Sequence, residues 1–190
     1  GDFRMEEYLV AGNYVIVLHR EPGSEPPASY RLEVDASVEA VTRPDVAVGA
    51  SAASLIGRQV YLPSGQTVML NSKNARAVTG ALTVANRGNW PDVLALRAGK
   101  GNDLFAVTYL GPAGNVTAAL VAGTYQTPEI DENAEEIAVQ VLVKPNVKKL
   151  VKKGKRGTTV LKKTLTLPVS VTSTKDSTKR DAASVKVQVK

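Results

Sequence analysis

Cysteine is absent from this sequence of 190 residues, and histidine occurs once, at His19. Without cysteine the chain has neither a disulfide framework nor a thiolate metal site, and one histidine cannot form a multi-histidine metal centre. No apolar run approaches the length of about 18 residues that indicates a membrane-spanning helix. These absences exclude a disulfide scaffold, those two kinds of metal centre and a membrane span.

The residues needed for catalysis are also scarce. A serine hydrolase requires a base that is nearly always histidine, and His19 follows an apolar segment beside Arg20 and Glu21. No Gly-x-Ser-x-Gly motif, which places the nucleophile of many hydrolases, occurs in the chain. We therefore predict that the protein is not an enzyme and has no resident cofactor.

The residues that are abundant favour β-strands. The chain has 27 Val and 15 Thr but only 4 Ile, so that β-branched residues make up about a quarter of it. Polar and apolar residues alternate at 137–143, 163–172 and 185–189, as they do in strands with one buried face. Short apolar segments separated by turn residues at roughly 8 to 12 residues are typical of an all-β sandwich. One helical turn is expected near Ala52 to Ile56.

These patterns predict an all-β, antiparallel sandwich over residues 45–190. Its ten candidate strands are residues 46–49, 59–62, 67–70, 77–84, 93–96, 104–110, 117–120, 136–143, 163–172 and 184–189.

The first 36 residues form a different pattern, an extra N-terminal β-hairpin with a Pro/Gly-rich loop at 21–27, followed by a linker at 37–44. The two strands carry Leu9, Gly12, Tyr14 and Ile16, and then Tyr30, Leu32 and Val34. This pattern resembles the last two strands of the bacterial pre-peptidase C-terminal domain. The resemblance implies that the hairpin belongs to a partial or a second β-unit, and because a lone hairpin needs a partner we expect a homodimer through it.

A second resemblance covers residues 45–190. It rests on Asn86 to Asp92 after an alternating strand, on Asn115 to Ala119 leading to Gly123 to Pro128, and on the late pair 172–174 and 179–181. These segments resemble bacterial immunoglobulin-like surface modules of the cell-adhesion-related type, although the acidic run 131–135 replaces the usual turn glycine. The resemblance implies an immunoglobulin-like antiparallel β-sandwich that serves as a spacer or adhesive unit of an exported protein, outside the cell or on its surface, with no catalytic residues.

The acidic run contains a candidate cation site. Asp131, Asn133 and Glu135 alternate as oxygen ligands do in calcium-binding loops. The run lacks the glycine and the terminal glutamate of an EF-hand loop, so a plain acidic turn is the alternative. Calcium is therefore the one metal ion that the sequence leaves open.

Positive charge is concentrated at the C-terminal end of the sequence. Residues 1–140 have a net charge of −6 and residues 141–190 one of +12, which gives the total of +6. The densest run contains Lys148, Lys149, Lys152, Lys153, Lys155 and Arg156. Residues 126–190 contain no aromatic residue for base stacking, so nucleic acid is not an expected partner, whereas contact with an anionic polymer stays open. The structural alternative is a soluble hairpin whose turn is bracketed by Gly154 and Gly157.

Four bulky or rigid residues complete the candidates. Trp90 is either a sugar-binding platform or a residue of the core or its rim, and Phe105 and Tyr109 lie on one face of a strand and are expected in the core. Pro168, inside an alternating segment, predicts an edge position, a bulge or a strand that changes sheets, because proline lacks the N–H that pairing needs.

Taken together, the sequence predicts a non-catalytic structural or adhesive module of a secreted or cell-surface bacterial protein. Its expected partners are other modules of the same protein or cell-surface polymers. Two alternatives are a glycan- or calcium-binding module, at Trp90 or Asp131, and an accessory domain of an exported hydrolase.

Overall fold

A computed structural model describes residues 40–61, 66–132, 134–154 and 157–190, all of them in the unit Glu39–Lys190. The predicted N-terminal hairpin (residues 1–36) and its homodimer contact, His19 and residues 37–39 of the predicted linker lie outside these residues. No helix in the described ranges is long and apolar enough to cross a membrane.

The described residues are mostly strands. In chain order these are β1 (Pro44–Gly49), β2 (Leu55–Ile56), β3 (Thr67–Ser72), β4 (Val78–Asn86), β5 (Leu94–Ala98), β6 (Phe105–Gly111), β7 (Gly114–Asn115), β8 (Tyr125–Gln126), β9 (Ile137–Pro145), β10 (Val151–Gly154), β11 (Gly157–Val160), β12 (Thr164–Ser173) and β13 (Arg180–Val189). Two short α-helices, α1 (Thr117–Ala122) and α2 (Val147–Leu150), and two 3₁₀ turns, Ala52–Ser54 and Lys73–Ala75, connect them.

Two sheets face each other. The first has the order β2-β1-β4-β9-β6-β7 and the second the order β3-β13-β12-β5-β8, while β10 and β11 form a separate two-stranded hairpin. All pairs are antiparallel except β13 and β3, which run in parallel with Val187 opposite Leu70. The predicted fold class, an immunoglobulin-like antiparallel β-sandwich, is confirmed for the described residues.

The core lies between the two sheets and follows the alternation that the sequence predicts. In β9, β12 and β13 every second residue is buried, because successive side chains of a strand point to opposite faces. Phe105 and Tyr109 are 1% and 0% exposed, which confirms their expected place in the core. β1 differs from the other strands, since all six of its residues are buried.

Two segments differ from the prediction. Residues 117–120 were expected in a strand but form α1, which ends at Gly123 in the left-handed conformation with φ of 76°. Asn115 Oδ1 accepts the N–H of Thr117 at 3.0 Å and so supports the first turn of the helix. Residues 59–61 were also expected in a strand, but Gln59 has a φ of 55°, which no strand residue adopts. The single turn expected near Ala52 is confirmed as a 3₁₀ turn.

Pro168 lies inside β12, between β13 and the end of β5. It is paired with Ser184 on one side, and on the other side β5 pairs with β12 only from Ala98 opposite Val169. Gly99 N–H still donates to Pro168 O at 2.8 Å, but proline has no N–H to return to Gly99 O. The hydroxyl of the buried Tyr109 donates to Gly99 O instead, at 2.8 Å. Proline is tolerated here because a side chain replaces the missing ladder hydrogen bond.

Candidate functional site

A group of charged and polar side chains connects the two sheets at one end of the sandwich. We call it the inter-sheet polar cluster; it consists of Asp45, Gln66, Arg87, Glu136 and Asp181. Asp45 is on β1 and Asp181 on β13, so the cluster contains residues of both sheets. Asp45, Gln66 and Asp181 are each at most 5% exposed.

Asp181 joins β13 to β1 of the opposite sheet. Val46 N–H donates to Asp181 Oδ2 at 2.9 Å, and Ala182 N–H donates to Asp181 Oδ1 at 2.7 Å. β2 pairs with β1 only at Val48 and Gly49, so within the described ranges no strand neighbours the edge of β1 at Val46. Asp181 therefore supplies the acceptor that a neighbouring strand would otherwise provide.

The other members of the cluster close the same edge. Gln66 Nε2 donates to Asp181 Oδ1 at 3.2 Å and also to Val60 O. Gln59 N–H donates to Asp45 Oδ1 at 2.8 Å. These bonds hold the segment after β2 against β1, so both carboxylates bind main chain of the fold.

Burial raises the pKa of both aspartates of the cluster. Desolvation is the largest cause for Asp45, opposed by the hydrogen bond from Gln59 and increased by the charge of Asp181. Desolvation is also the largest cause for Asp181, opposed by the hydrogen bonds from Val46, Ala182 and Gln66. Removing a carboxylate from water disfavours its charged form, so both groups hold their protons more tightly than exposed aspartates.

Glu136 connects the cluster to the surface. Arg87 Nη2 donates to Glu136 Oε1 at 2.5 Å, Arg58 Nη2 donates to Glu136 Oε2 at 2.8 Å, and Arg87 Nε lies 3.5 Å from Asp45 Oδ2. Desolvation of Glu136 raises its pKa, but hydrogen bonds from Arg58 and Thr83 and the two arginine charges outweigh it and lower the pKa. Glu136 therefore acts as the counter-ion of two arginines.

Trp90 lies in the loop after β4 and is 48% exposed. Lys175 Nζ lies 5.5 Å from the centre of its ring and donates to Pro91 O. Asn86, buried at the end of β4, holds this loop: its Nδ2 donates to Trp90 O at 2.7 Å, and its Oδ1 accepts Gly88 N–H at 3.0 Å. Trp90 is thus at the rim of the sandwich and not in its core, with a cation over one ring face.

Asp92, two residues later, is fully buried. Its main chain exchanges hydrogen bonds with Ile130 at 3.1 and 2.8 Å, while neither carboxylate oxygen has a hydrogen-bond partner in the described part of the structure. Burying such a group without partners costs stability.

The predicted calcium ligands are only partly described. Asp131 and Glu135 are both exposed, and Asn133 is outside the described residues. In residues 40–61, 66–132, 134–154 and 157–190 no three Asp, Glu or His side chains lie close enough together to hold a metal ion. Calcium at this loop therefore stays a prediction.

The basic run forms α2 and the β10–β11 hairpin, with Gly154 opposite Gly157 as the sequence predicts. Lys148, Lys149, Lys152 and Lys153 are exposed, while Lys155 and Arg156 are outside the described residues. Lys149 Nζ lies 3.2 Å from Asp103 Oδ2, an ion pair on the surface that stabilises little. The two described lysines of this hairpin, Lys152 and Lys153, both lie on β10.

A shallow groove of about 580 Å³ runs over the outer face of the second sheet. Small residues of β12 and β13, among them Ser170 and Ala182, form its floor, and Arg97 and Lys100 are the charged residues in its wall. The groove contains no carboxylate and no histidine. It therefore lacks the acid and base pair that hydrolytic chemistry requires.

The sequence found the surface candidates but not the inter-sheet polar cluster. Val46 and Asp181 are 135 residues apart, and neither belongs to a recognisable motif. The available signal was a charged residue inside each of two apolar segments, at Asp45 before Val46 and at Asp181 before Ala182. Such a residue is expected to be buried with a partner, but the alternation of a strand does not say which one.

Comparison with known proteins gives no family. No family model matches the sequence, and no curated protein matches it. A family 123 glycoside hydrolase from Clostridium perfringens, studied for glycolipid glycan hydrolysis, is 8% identical over 78% of this chain and 27% of that chain, with a TM-score of 0.42. The PapD-like domain 7 of human CEP192 is 9% identical over 88% of this chain and 96% of that chain, with a TM-score of 0.37. The chain spans about a quarter of the hydrolase, and similarities this low assign no function.

Proposed function

We propose that this chain is a non-catalytic structural or adhesive β-sandwich module of a secreted or cell-surface bacterial protein. The location follows from the sequence resemblance to bacterial surface modules. The mechanical role is supported by the way β1 and β13 are joined.

The contact between Val46 and Asp181 carries the proposal. Residue 40 precedes β1, whose Val46 is bonded to Asp181 at the start of β13, whereas Lys190 follows the end of that ten-residue strand. Tension applied between these two points acts along the strands. It shears the parallel β3–β13 pair and the Val46–Asp181 contact, so that many hydrogen bonds must break together. A module under load benefits from this geometry.

The positions of the perturbed acids also support a structural role. Strongly perturbed carboxylates often mark catalytic sites, but structural networks perturb them too. Asp45 and Asp181 bind main-chain N–H groups, and Glu136 binds two arginines. None of these three lines the groove on the second sheet. Their hydrogen-bonding capacity is used within the fold.

A panel of esterase, protease and glycosidase substrates tests the proposal. We expect no turnover above the rate of buffer alone with the full chain. His19→Ala and Asp181→Asn serve as the diagnostic variants, and Lys144→Ala, at an exposed position of β9, as their matched control. A turnover that either diagnostic variant removes and the control retains contradicts a non-catalytic role.

The glycan-binding alternative keeps one favourable observation, the half-exposed ring of Trp90. Aromatic faces at a surface contact sugar rings, and Lys175 occupies only one face. If Trp90 is a platform, an array of bacterial surface glycans gives binding that Trp90→Ala abolishes. Val147→Ala is the control, because Val147 is also exposed, at 53%, but lies on α2. Titration with CaCl₂ of the full chain and of Asp131→Ala tests the calcium alternative.

A further inference from the structure

The four edges of the two large sheets differ in length. The first sheet ends at β2 and β7, and the second ends at β8 on one side; each of these strands has two residues. The remaining edge is β3, which has six residues. Among the described residues, β3 is thus the long edge of the sandwich, and short edge strands are a common protection against pairing with other chains.

The hydrogen bonds to β13 show which main-chain groups of β3 point outwards. Ser184 N–H donates to Gln66 O at 2.8 Å, and Lys190 N–H donates to Ser72 O at 3.0 Å. In a parallel pair alternate residues bond to the same neighbour, so Val68 and Leu70 also face β13. The N–H and C=O groups of Thr67, Met69 and Asn71 consequently face away from the sheet, available to a further strand.

The side chains of β3 do not block such a strand. Thr67, Met69 and Asn71 are exposed and uncharged, and Met69 is 43% exposed. Natural edge strands usually carry lysine or proline, and β10 of the same chain carries Lys152 and Lys153. β3 contains neither residue type. The edge of β3 therefore lacks the residues that commonly prevent a further strand from pairing.

The surroundings of β3 are positively charged. Lys186 lies opposite Met69 on β13, and Lys73, Arg76 and Lys190 lie around the end of β3. No ion pair involves any of the four within the described residues. β3, the turn after it and β4 contain no acidic residue, and the one acid of β13, Asp181, is buried. A partner here meets uncompensated positive charge.

We propose that β3 binds an extended acidic peptide segment, which adds to the second sheet as a further strand. Main-chain hydrogen bonds from Thr67, Met69 and Asn71 supply the pairing, and Lys186 and its neighbours select carboxylate side chains. A second copy of this chain is a poorer occupant, because it would place the same cations against one another. The site is separate from the proposed mechanical role, which does not require an open edge.

The experiment uses the full chain and synthetic ten-residue peptides in a fluorescence anisotropy titration. One peptide alternates valine and glutamate, and a second alternates valine and lysine. A third has the sequence of the first, with N-methyl groups on alternate amides that prevent strand pairing. We expect the acidic peptide to bind about tenfold or more tightly than the other two, because a few hydrogen bonds and charge contacts are worth at least that factor.

Variants of the protein locate the site. Met69→Pro removes an outward N–H that the fold does not use, and is expected to weaken binding of the acidic peptide about tenfold or more. Lys186→Glu is expected to weaken it as well, whereas the matched reversal Lys144→Glu, on β9 of the other sheet, leaves it unchanged. Circular dichroism verifies that the variants are folded; if Met69→Pro is not, the N-methylated peptide still tests strand pairing.

Each other result overturns the proposal. Equal binding of the N-methylated and unmodified acidic peptides, or binding that Met69→Pro leaves intact while Lys186→Glu removes it, means attraction by charge without strand pairing. Absence of binding by the acidic peptide rejects the site. Sedimentation that shows a dimer dispersed by Met69→Pro assigns the edge to a second copy. None of these results bears on the absence of turnover, which tests the proposed function.

Discussion

Asp181 is the residue whose ionisation most directly affects how the sheets are joined. Desolvation, its largest perturbation, raises its pKa above the ordinary value of 3.8, so the folded chain binds its proton more tightly than the unfolded chain does. As the pH rises from that ordinary value through the folded pKa, the folded state retains more protons, and the free energy of unfolding falls. The contribution of Asp181 to stability is therefore greatest in acid.

Asp181→Asn tests this sign. The amide does not titrate, so the stability of the wild-type chain relative to the variant is expected to decrease between about pH 3 and pH 7, measured by urea unfolding. The pKa of Glu136 is lowered, so its ionisation makes both proteins more stable as the pH rises. This contribution cancels when the stability of the variant is subtracted from that of the wild-type chain. Asp131→Asn, at an exposed site, is the control. A difference that stays constant with pH, or grows as the pH rises, contradicts the assignment.

Among the secondary-structure elements, the end of the β5–β12 pair is stabilised by a hydrogen bond from Tyr109. Its hydroxyl donates to Gly99 O, which Pro168 cannot reach with an N–H. Tyr109→Phe leaves that carbonyl without a donor and is expected to lower the free energy of unfolding by about 1–2 kcal/mol. Urea unfolding of the full chain measures the change.

A double-mutant cycle checks the reason for this loss. Pro168→Ala restores an N–H opposite Gly99, so Tyr109→Phe is expected to cost less in that background than in the wild-type chain. The cycle cancels the effect of removing proline from the unfolded chain, which both Pro168→Ala proteins share. If the two substitutions are additive, the hydroxyl does not replace the missing ladder bond.

The sequence predicted strands where burial alternates and failed where it does not. β9, most of β12 and the second half of β13 were found because every second residue there is apolar. The apolar run at 117–120 has no alternation, and four residues are too few to separate a strand from a turn of helix. The edge strands β2, β7 and β8 have two residues each and owe their pairing to their neighbours. Local pattern determines long strands, and tertiary contacts determine short ones.

The candidate sites, too, divide into those that the local sequence indicates and those that arise only from tertiary contacts. Trp90 and the basic run could be identified from the sequence, because the chain has one tryptophan and its lysines are clustered, although the sequence left open whether the ring is exposed. The inter-sheet polar cluster and the open edge of β3 depend on which strands become neighbours. The order of strands in a sheet cannot be predicted from the residue pattern of any single strand. β3 and β13 are far apart in the sequence, and their parallel pairing could not be predicted from the residue pattern of either segment alone.

At the scale of the whole molecule, the described residues form a sandwich with a closed core and charged groups placed at its surfaces and at one end of its interior. The acids that burial perturbs hold strands together, and the basic residues are concentrated on the C-terminal strands and the β10–β11 hairpin. This distribution suits a module that transmits force and presents surfaces to partners.

Single-molecule pulling tests this account most directly. Because the chain has no cysteine, pairs of engineered cysteines define the points of attachment. Ala40→Cys with Lys190→Cys shears β1 and β3 against β13, whereas Lys163→Cys with Lys190→Cys separates β12 from β13 one hydrogen bond at a time, since Thr164 lies opposite Gln188. We predict that the first pair unfolds at a force several-fold higher than the second, and that Asp181→Asn lowers only the first. Equal forces in the two directions would contradict the mechanical role.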